Sequence, residues 1–312
     1  MTKRRLLGLI SSILVTATVF SGCASKQPAE NKEQAPTAKL SGEIKIDGSS
    51  TVLPISESVA EEFKAKNPDV KITVGESGTG GGMKKFINKE IDIADASRPI
   101  KAEEKDAAAK NGVEFIELKV ALDGITVVVN KDNTWAKDMT VEELNSIWKE
   151  GSTVKTWKDV RADWPAEQIK LYAPGTASGT FEFFTEAINK KAKSARATDV
   201  TTSEDDGVLV QGVAGDKNGM SYFGYSYYEA NKSKLNAVNI AGVAPSFDTI
   251  KDGTYKPLSR PLYIYVNKEA LKKAEVKEFV NFYLNNAKNL VSEAGYVALP
   301  EADYTKQLDL VK

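Results

Sequence analysis

A repeated local pattern constrains the fold of this chain most: a short strand, a small polar loop and the start of a helix. EIKIDG, VKITVGES and IKLYAPG have the apolar spacing of strands. Each is followed by Gly, Ser or Thr and then by apolar residues at helical spacing, as at Ile55, Val59 and Phe63. Strands that alternate with helices predict an α/β fold.

The polar loops of this pattern indicate an anion site. The first turn of a helix leaves backbone N–H groups unpaired and carries a partial positive charge. GTGGG at residues 78–82 is predicted to be a loop that leaves such groups accessible, because bulky side chains would block a ligand. A single Ser-Gly-Thr at a helix start can serve only as a cap. Three of them, each after a strand, favour ligand binding, since ligands of α/β sheets bind beyond the strands' carboxyl ends.

Composition excludes several classes of function. The 312 residues include no His and one Cys, which rules out Ser-His-Asp and Cys-His nucleophilic sites and leaves almost no ligands for zinc. We therefore expect no metal, no cofactor and no catalytic residue. GTGGGMKK lacks the Gly-Lys-Ser/Thr of a P-loop, and its glycines do not fit the dinucleotide-binding pattern. A nucleotide-binding fold is thus not favoured.

The amino terminus predicts export and a lipid anchor. MTKRR is followed by an apolar run and by SGC, the pattern of a lipoprotein signal peptide over residues 1–22 with Cys23 as the lipidated residue, although Phe20 departs from the usual Leu. A plain secretory peptide with an incidental Cys is the alternative. Residues 23–41 are polar and read as a flexible tether. Removal of the signal leaves 39 basic and 43 acidic side chains, a net charge of −4 that does not favour a nucleic-acid partner.

Two similar apolar strands suggest two lobes. ALDGITVVVN and SRPLYIYVN both end in Val-Asn and are separated by about a domain's length of chain. We interpret them as the outward and return passages between the lobes. Lobe I then comprises residues 42–126 and 262–312, and lobe II comprises residues 127–261. The ligand is expected in the cleft between the lobes.

EIDIADASRPI adds a candidate cation. It reads as a strand that ends at Ser97, followed by Arg98, whose guanidinium could bind an oxyanion through two hydrogen bonds. The alternative is a salt bridge between Arg98 and a nearby acid such as Asp95 or Asp123.

Five stretches, in this order, resemble the PstS-like phosphate-binding proteins of bacterial phosphate ABC transporters: IDGSSTVLP, GESGTGGGMKKF, DIADASRP, ALDGITVVVN and GTASGTFEFF. The resemblance covers nearly all of the mature chain. It implies a two-lobed periplasmic-binding-protein fold of type II, with two hinge strands and inorganic phosphate in the interlobe cleft. The phosphate contacts implied by position are Ser50 or Thr51 with the backbone of Val52, Thr79, Ser97, Ser178, Gly179 and Thr180, to which Arg98 is added as a cation.

Two departures from the family pattern concern charge. Many members have an Asp in place of Ser97, which accepts the proton of hydrogen phosphate, and an Arg shortly before Ser-Gly-Thr, where this chain has Tyr-Ala-Pro-Gly. Arg98 could replace the missing Arg, and Asp123 or Asp206 could accept the proton. A buried carboxylate discriminates against sulfate, which carries no proton to donate.

The resemblance also implies a function and a cellular location. We expect a monomer on the extracytoplasmic face of the cell membrane that binds phosphate, closes on it and delivers it to the membrane permease of an ABC transporter. A binding protein for another tetrahedral oxyanion, sulfate or molybdate, is the main alternative. A phosphate-ester hydrolase with a Ser or Asp nucleophile is less favoured, and a role in adhesion or signalling stays open.

Overall fold

The computed structural model describes residues 39–176 and 178–312, and residues 39–312 form one unit of mixed α/β structure. The strands are β1 Gly42–Gly48, β2 Val70–Glu76, β3 Ile93–Ala96, β4 Phe115–Asn130, β5 Asp138–Met139, β6 Lys170–Pro174, β7 Val200–Ser203, β8 Gly219–Gly224, β9 Leu235–Ala237, β10 Asn239–Ile240 and β11 Ser259–Asn267. The predicted signal peptide, Cys23 and the tether up to residue 38 lie outside the described residues.

Ten α-helices lie within the described residues. They are α1 Leu53–Lys66, α2 Gly78–Ile87, α3 Ala102–Lys110, α4 Val141–Trp148, α5 Gly179–Asn189, α6 Asp206–Gly215, α7 Tyr225–Asn231, α8 Phe247–Lys251, α9 Ala274–Glu293 and α10 Glu301–Val311. Two short 3-10 helices span Trp157–Asp159 and Ala270–Lys272. Within this part of the chain, no helix combines the length and the apolar character that crossing a bilayer requires.

The main sheet has the strand order β2-β1-β3-β11-β4-β8-β6-β7, and β9 pairs with β4. β1 is parallel to both β2 and β3, with Gly48 opposite Glu76 and Asp95. The carboxyl ends of these three strands therefore meet at one edge of the sheet. The polar segments that follow them, at residues 49–52, 77–79 and 97–98, lie at that same edge. On the other side of the sheet, β6 is parallel to β7 and β8.

β4 and β11 connect the two sides of the sheet. The first part of β4, from Phe115 to Gly124, pairs with β11, whereas Ile125 to Val129 pair with β8. β11 in turn pairs with β3. These are the two strands from which the sequence predicted the passages between lobes. The residue boundaries of the lobes, 42–126 with 262–312 and 127–261, stay predictions.

The amphipathic helices bury their apolar faces on the sheet. α1 and α9 share a core with Ile44 and Ile93, and the rings of Phe63 and Phe279 meet edge to face with centroids 5.3 Å apart. α2 buries Met83 and Phe86 in a separate cluster with Tyr265. Burial of each such side chain contributes about 1.5–3 kcal/mol. These helices thus fix the strand ends that form the site.

Candidate anion-binding site

The turn after β1 brings three predicted ligands to the start of α1. The backbone N–H of Thr51 donates to Ser49 Oγ over 3.2 Å, and the Ser49 N–H donates to the Asp95 carbonyl over 3.0 Å. The Val52 N–H, predicted to contact phosphate, donates to the Ser49 carbonyl over 3.1 Å. The Ser50 hydroxyl donates to Glu182 Oε2 of α5 over 3.1 Å. The turn is therefore held to β3 and to α5.

The glycine run was predicted to be a loop, and this is wrong: GTGGG forms the first turns of α2 itself. Gly78 has a φ of +73°, which side chains rarely adopt. A Cβ at Gly82 would lie 2.5 Å from Gly48 Cα, so this glycine lets α2 approach β1 closely. A Cβ at Gly80 would meet no atom within 4 Å. Gly78 and Gly80 thus leave open space of the kind that the sequence predicted for a ligand.

Thr79 and Ser97 lie together at the ends of β2 and β3. The Ser97 N–H donates to Thr79 Oγ1 over 3.1 Å, and the two hydroxyl oxygens are 3.2 Å apart. Two predicted ligands are thus paired with each other between the start of α2 and the end of β3.

Arg98 forms a salt bridge, but with neither Asp95 nor Asp123. Its guanidinium binds the Glu104 carboxylate through two hydrogen bonds, Nη1 to Oε2 at 2.8 Å and Nη2 to Oε1 at 2.7 Å. Glu104 Oε2 also accepts the Lys101 N–H at the start of α3. Hydrogen bonds from Arg98 lower the pKa of Glu104. The guanidinium fork of Arg98 is therefore engaged with α3.

The start of α5 faces the turn after β1 from the other side of the sheet. Ser178 caps the helix: its Oγ accepts the Thr180 N–H at 3.2 Å and the Phe181 N–H at 3.4 Å. A Cβ at Gly179 would lie only 2.8 Å from Thr51 Cα. The predicted ligands of the two lobes therefore come into direct contact here.

A cavity of 240 Å³ lies at this meeting point. Of the predicted site residues, its lining includes Ser50, Asp123, Ser178, Gly179, Thr180 and Asp206. Glu76, Glu204 and Tyr296 line it as well. The other predicted ligands are not part of this lining: Thr51, Val52, Thr79, Ser97 and Arg98. The structure thus separates the predicted ligands into a group around the cavity and a group between β2, β3 and α3.

Arg260, which is not among the predicted site residues, is a cation in direct contact with a predicted ligand. Its Nη2 donates to Thr51 Oγ1 over 2.8 Å, and its Nε donates to Asp123 Oδ2 over 3.3 Å. The guanidinium also lies over the Phe183 ring of α5, 3.7 Å from the ring centre. The available signal was a second Ser-Arg-Pro, at residues 259–261, which repeats the Ser-Arg-Pro of residues 97–99.

Two carboxyl groups of the cavity, those of Asp123 and Asp206, have raised pKa values. Burial raises the pKa of Asp123, and the charge of Arg260 opposes that effect. Burial and the charges of Asp205 and Glu204 raise the pKa of Asp206 to about 6. Groups of this kind can accept a hydrogen bond from a protonated anion, whereas an anion without a proton would meet unpaired negative charge.

The described residues offer little to a metal. Among them, no group of three or more His, Cys, Asp or Glu side chains is placed to hold an ion. The cavity offers hydrogen-bond donation from Ser and Thr hydroxyls and backbone N–H groups, and acceptance by the carboxyl groups of Glu76, Asp123, Glu204 and Asp206. Arg260 is not part of the lining, but its charge lies next to it through the hydrogen bond to Asp123.

Comparison with known proteins identifies the family. Residues 33–287 match the model of the PBP superfamily domain. The chain belongs to the PBP superfamily. Protein SphX of Synechococcus elongatus is 52% identical over 269 residues, 84% of this chain and 79% of SphX. The phosphate-binding protein PstS of Staphylococcus saprophyticus is 43% identical over 279 residues, 88% of this chain and 85% of PstS.

A solved structure supports the same placement in this superfamily. The crystal structure of a protein from Planctomyces limnophilus, described as a possible phosphate-binding protein, is 49% identical, with a TM-score of 0.83. The match covers 87% of this chain and 99% of that protein. The PstS-like assignment and the two-lobed α/β fold predicted from the sequence are therefore confirmed.

Proposed function

We propose that this protein binds inorganic phosphate outside the cytoplasm and delivers it to the permease of an ABC transporter. The observation that supports this most is the convergence of Ser50 and the start of α5 on one cavity, with Arg260 beside it. A volume of 240 Å³ is below that of a typical drug-sized pocket and suits a small anion. The PstS-like relatives point to the same ligand.

The proposed contacts are hydrogen bonds from both sides of the sheet. Ser50 and Thr51 would donate from the turn after β1. Ser178, Thr180 and the Gly179 N–H would donate from the start of α5. Arg260 would supply the positive charge that the sequence analysis assigned to Arg98. Arg98 is proposed to hold the Ser97 segment against α3.

Thr79 and Ser97 remain proposed ligands at the same sheet edge, although they do not line the cavity. Binding would require one of their hydroxyls to exchange its present partner for the anion. The Val52 N–H would likewise have to leave the Ser49 carbonyl.

The carboxyl groups give the proposed site its selectivity. Asp123 or Asp206 would accept the proton of hydrogen phosphate, and the buried carboxyl of Asp123 makes the site unfavourable for sulfate. No bond is broken in this scheme, and the names of the PstS relative and of the Planctomyces limnophilus protein describe phosphate binding. We therefore propose binding without catalysis.

Closure would couple binding to delivery. Phosphate held from both sides stabilises only the arrangement in which α5 and the Ser50 turn meet, so the bound form is the closed form. We propose that the permease recognises that form. Lipidation at Cys23 would keep the protein, as a monomer, at the outer face of the cell membrane.

Calorimetric titration of residues 24–312, stripped of bound anion, tests the proposed ligand. We expect one phosphate per chain and little heat from sulfate or molybdate. Binding of sulfate in preference to phosphate would overturn the ligand, and hydrolysis of a chromogenic phosphate ester would overturn the absence of catalysis.

A further inference from the structure

Asp95 is a buried acid with no partner, close to the proposed anion site. It lies in β3, its exposed fraction is 0%, and neither of its carboxyl oxygens has a hydrogen-bond partner among the described residues. Its strand neighbour Asp92, by contrast, accepts hydrogen bonds from Lys273 and from the Lys45 N–H. An unpaired buried carboxylate is costly, which favours the protonated form of Asp95.

Among the described residues, the two side chains that shift the pKa of Asp95 are Ser56 and Asp47, and neither is a cation. Ser56 of α1 and Tyr283 of α9, whose hydroxyl oxygens are 3.4 Å apart, lie on the same side of the sheet. The Ser56 hydroxyl lowers the pKa of Asp95 without reaching hydrogen-bonding geometry. The charge of Asp47 on β1 raises that pKa. The remaining titratable neighbour, Tyr283, has its own pKa raised by burial and by Asp95, with Tyr304 beyond it.

Asp95 also connects directly to the proposed ligand turn. Its backbone carbonyl accepts the Ser49 N–H, and Ser49 Oγ in turn accepts the Thr51 N–H. Ser56 belongs to the first turn of α1, whose positive end would face the anion. A charge on Asp95 would therefore lie beneath the same helix start that would stabilise phosphate, and it would oppose a second negative charge there.

We propose that Asp95 is a positioning residue whose protonation controls the affinity of the Ser50–Thr51 turn for its anion. This inference rests on the proposed function. When Asp95 is neutral, the partial positive charge at the start of α1 is fully available to the anion. When Asp95 is ionised, its negative charge offsets part of that positive charge and weakens anion binding. Because bound anion favours neutral Asp95, binding takes up a proton in the pH range in which Asp95 titrates.

The direction of the effect follows from burial. Burial raises the pKa of Asp95 from 3.8 to about 8. Asp95 is then neutral at pH 6 and ionises as the pH rises past 8, so affinity should fall over that range. Phosphate itself also titrates near neutral pH, so the effect must be measured against a variant that binds the same phosphate species.

The test is phosphate titration calorimetry at pH 6, 7, 8 and 9 on the mature chain and on the Asp95→Asn variant. The amide is neutral at every pH and nearly matches the acid in shape. We expect equal affinities at pH 6 and, at pH 9, at least about fivefold weaker binding by the native chain than by the variant. Asp92→Asn, an equal change at the residue that precedes β3, should leave the native pH profile unaltered.

A second readout does not depend on the variant. Titrations of the native chain at pH 8 in two buffers of different ionisation enthalpy give the number of protons taken up, which should exceed that expected from phosphate alone. An affinity ratio that stays constant from pH 6 to 9, with no extra proton uptake, would overturn the inference but leave phosphate binding intact. Absence of phosphate binding in all variants would overturn the proposed function and, with it, this inference.

Discussion

Two arginines occupy the same tripeptide, Ser-Arg-Pro, but their surroundings differ. Arg98 binds Glu104, six residues along the chain, in a local salt bridge on α3. Arg260 binds Asp123, 137 residues away in sequence, and reaches Thr51 as well. The Arg260 side chain is 14% exposed, against 30% for Arg98. Burial strengthens hydrogen bonds to an anion, so Arg260 is the better placed cation.

Substitution of each arginine distinguishes these two roles. We expect Arg260→Gln to weaken phosphate binding by more than tenfold, because a charge-assisted hydrogen bond contributes about 1.5–3 kcal/mol. Arg98→Gln should change the affinity much less and mainly lower the midpoint of thermal unfolding. Calorimetric titration and thermal unfolding of the two variants measure both effects.

Loss of Arg260 also leaves the Asp123 carboxylate buried without its partner, which destabilises the fold independently of phosphate binding. The double variant Arg260→Gln/Asp123→Asn removes both charges and serves as the control. Because Asp123 is itself a proposed proton acceptor, this control concerns stability alone, and its midpoint of thermal unfolding should recover toward that of the native chain. A larger loss of affinity for Arg98→Gln than for Arg260→Gln would return the cation role to Arg98.

At the scale of single elements, the glycines of α2 show what a sequence pattern can indicate. Four glycines in five residues correctly marked the junction of a strand and a helix, but they did not reveal where the helix begins. Gly82 is required by the distance between α2 and β1, and Gly78 by its positive φ. Both requirements depend on three-dimensional packing. Composition alone therefore could not show whether these glycines belong to a flexible loop or to a closely packed helix.

The same helix provides a matched pair of variants. We expect Gly82→Ala to lower the free energy of unfolding by about 1–3 kcal/mol, because the added Cβ would lie 2.5 Å from Gly48 Cα and 2.8 Å from the Asp47 carbonyl oxygen. The Cβ added by Gly80→Ala would meet no atom within 4 Å. This variant should raise the free energy of unfolding by up to about 1 kcal/mol, since Ala favours helix more than Gly does.

Urea unfolding of the two variants measures the difference. Equal effects of the two alanines on unfolding would contradict the close packing of α2 on β1. Reduced phosphate affinity for Gly80→Ala, without a loss of stability, would indicate that the ligand approaches the backbone at this position.

At the scale of the whole molecule, the contact between α5 and the Ser50–Thr51 turn joins the two sides of the sheet. We expect Gly179→Ala to weaken phosphate binding by about tenfold, or 1.4 kcal/mol, because its Cβ would lie 2.8 Å from Thr51 Cα and hinder closure. Thermal unfolding without phosphate should hardly change. Titration calorimetry, with small-angle scattering to follow compaction on binding, tests this.

Gly215→Ala, at the end of α6, is the control for this prediction. A Cβ there would meet no atom within 4 Å, so neither affinity nor compaction should change. Phosphate affinity that is the same for Gly179→Ala as for Gly215→Ala would exclude a role of this contact in closure.

Much of this architecture was predictable because it is local. Each strand and each amphipathic helix of the repeated pattern has its own spacing of apolar residues, and the two connecting strands resemble each other in sequence. The pairing of Asp123 with Arg260 was not predictable, because it depends on the register of β4 on β11, which no local pattern specifies. The separation of Thr79 and Ser97 from the cavity likewise depends on how the strand ends are arranged in space.

The position of β11 in the sheet also determines the order in which the chain can complete its fold. β3 pairs with β1 on one side and with β11 on the other, but β11 spans Ser259–Asn267, far along the chain. During synthesis, one edge of β3 therefore lacks its strand partner until most of the polypeptide has emerged. An open strand edge invites pairing with other chains. The amino-terminal strands therefore complete their pairing only when β11, in the last third of the chain, joins the sheet. Any chain that ends before β11 would leave the edge of β3 open to pairing with other protein chains.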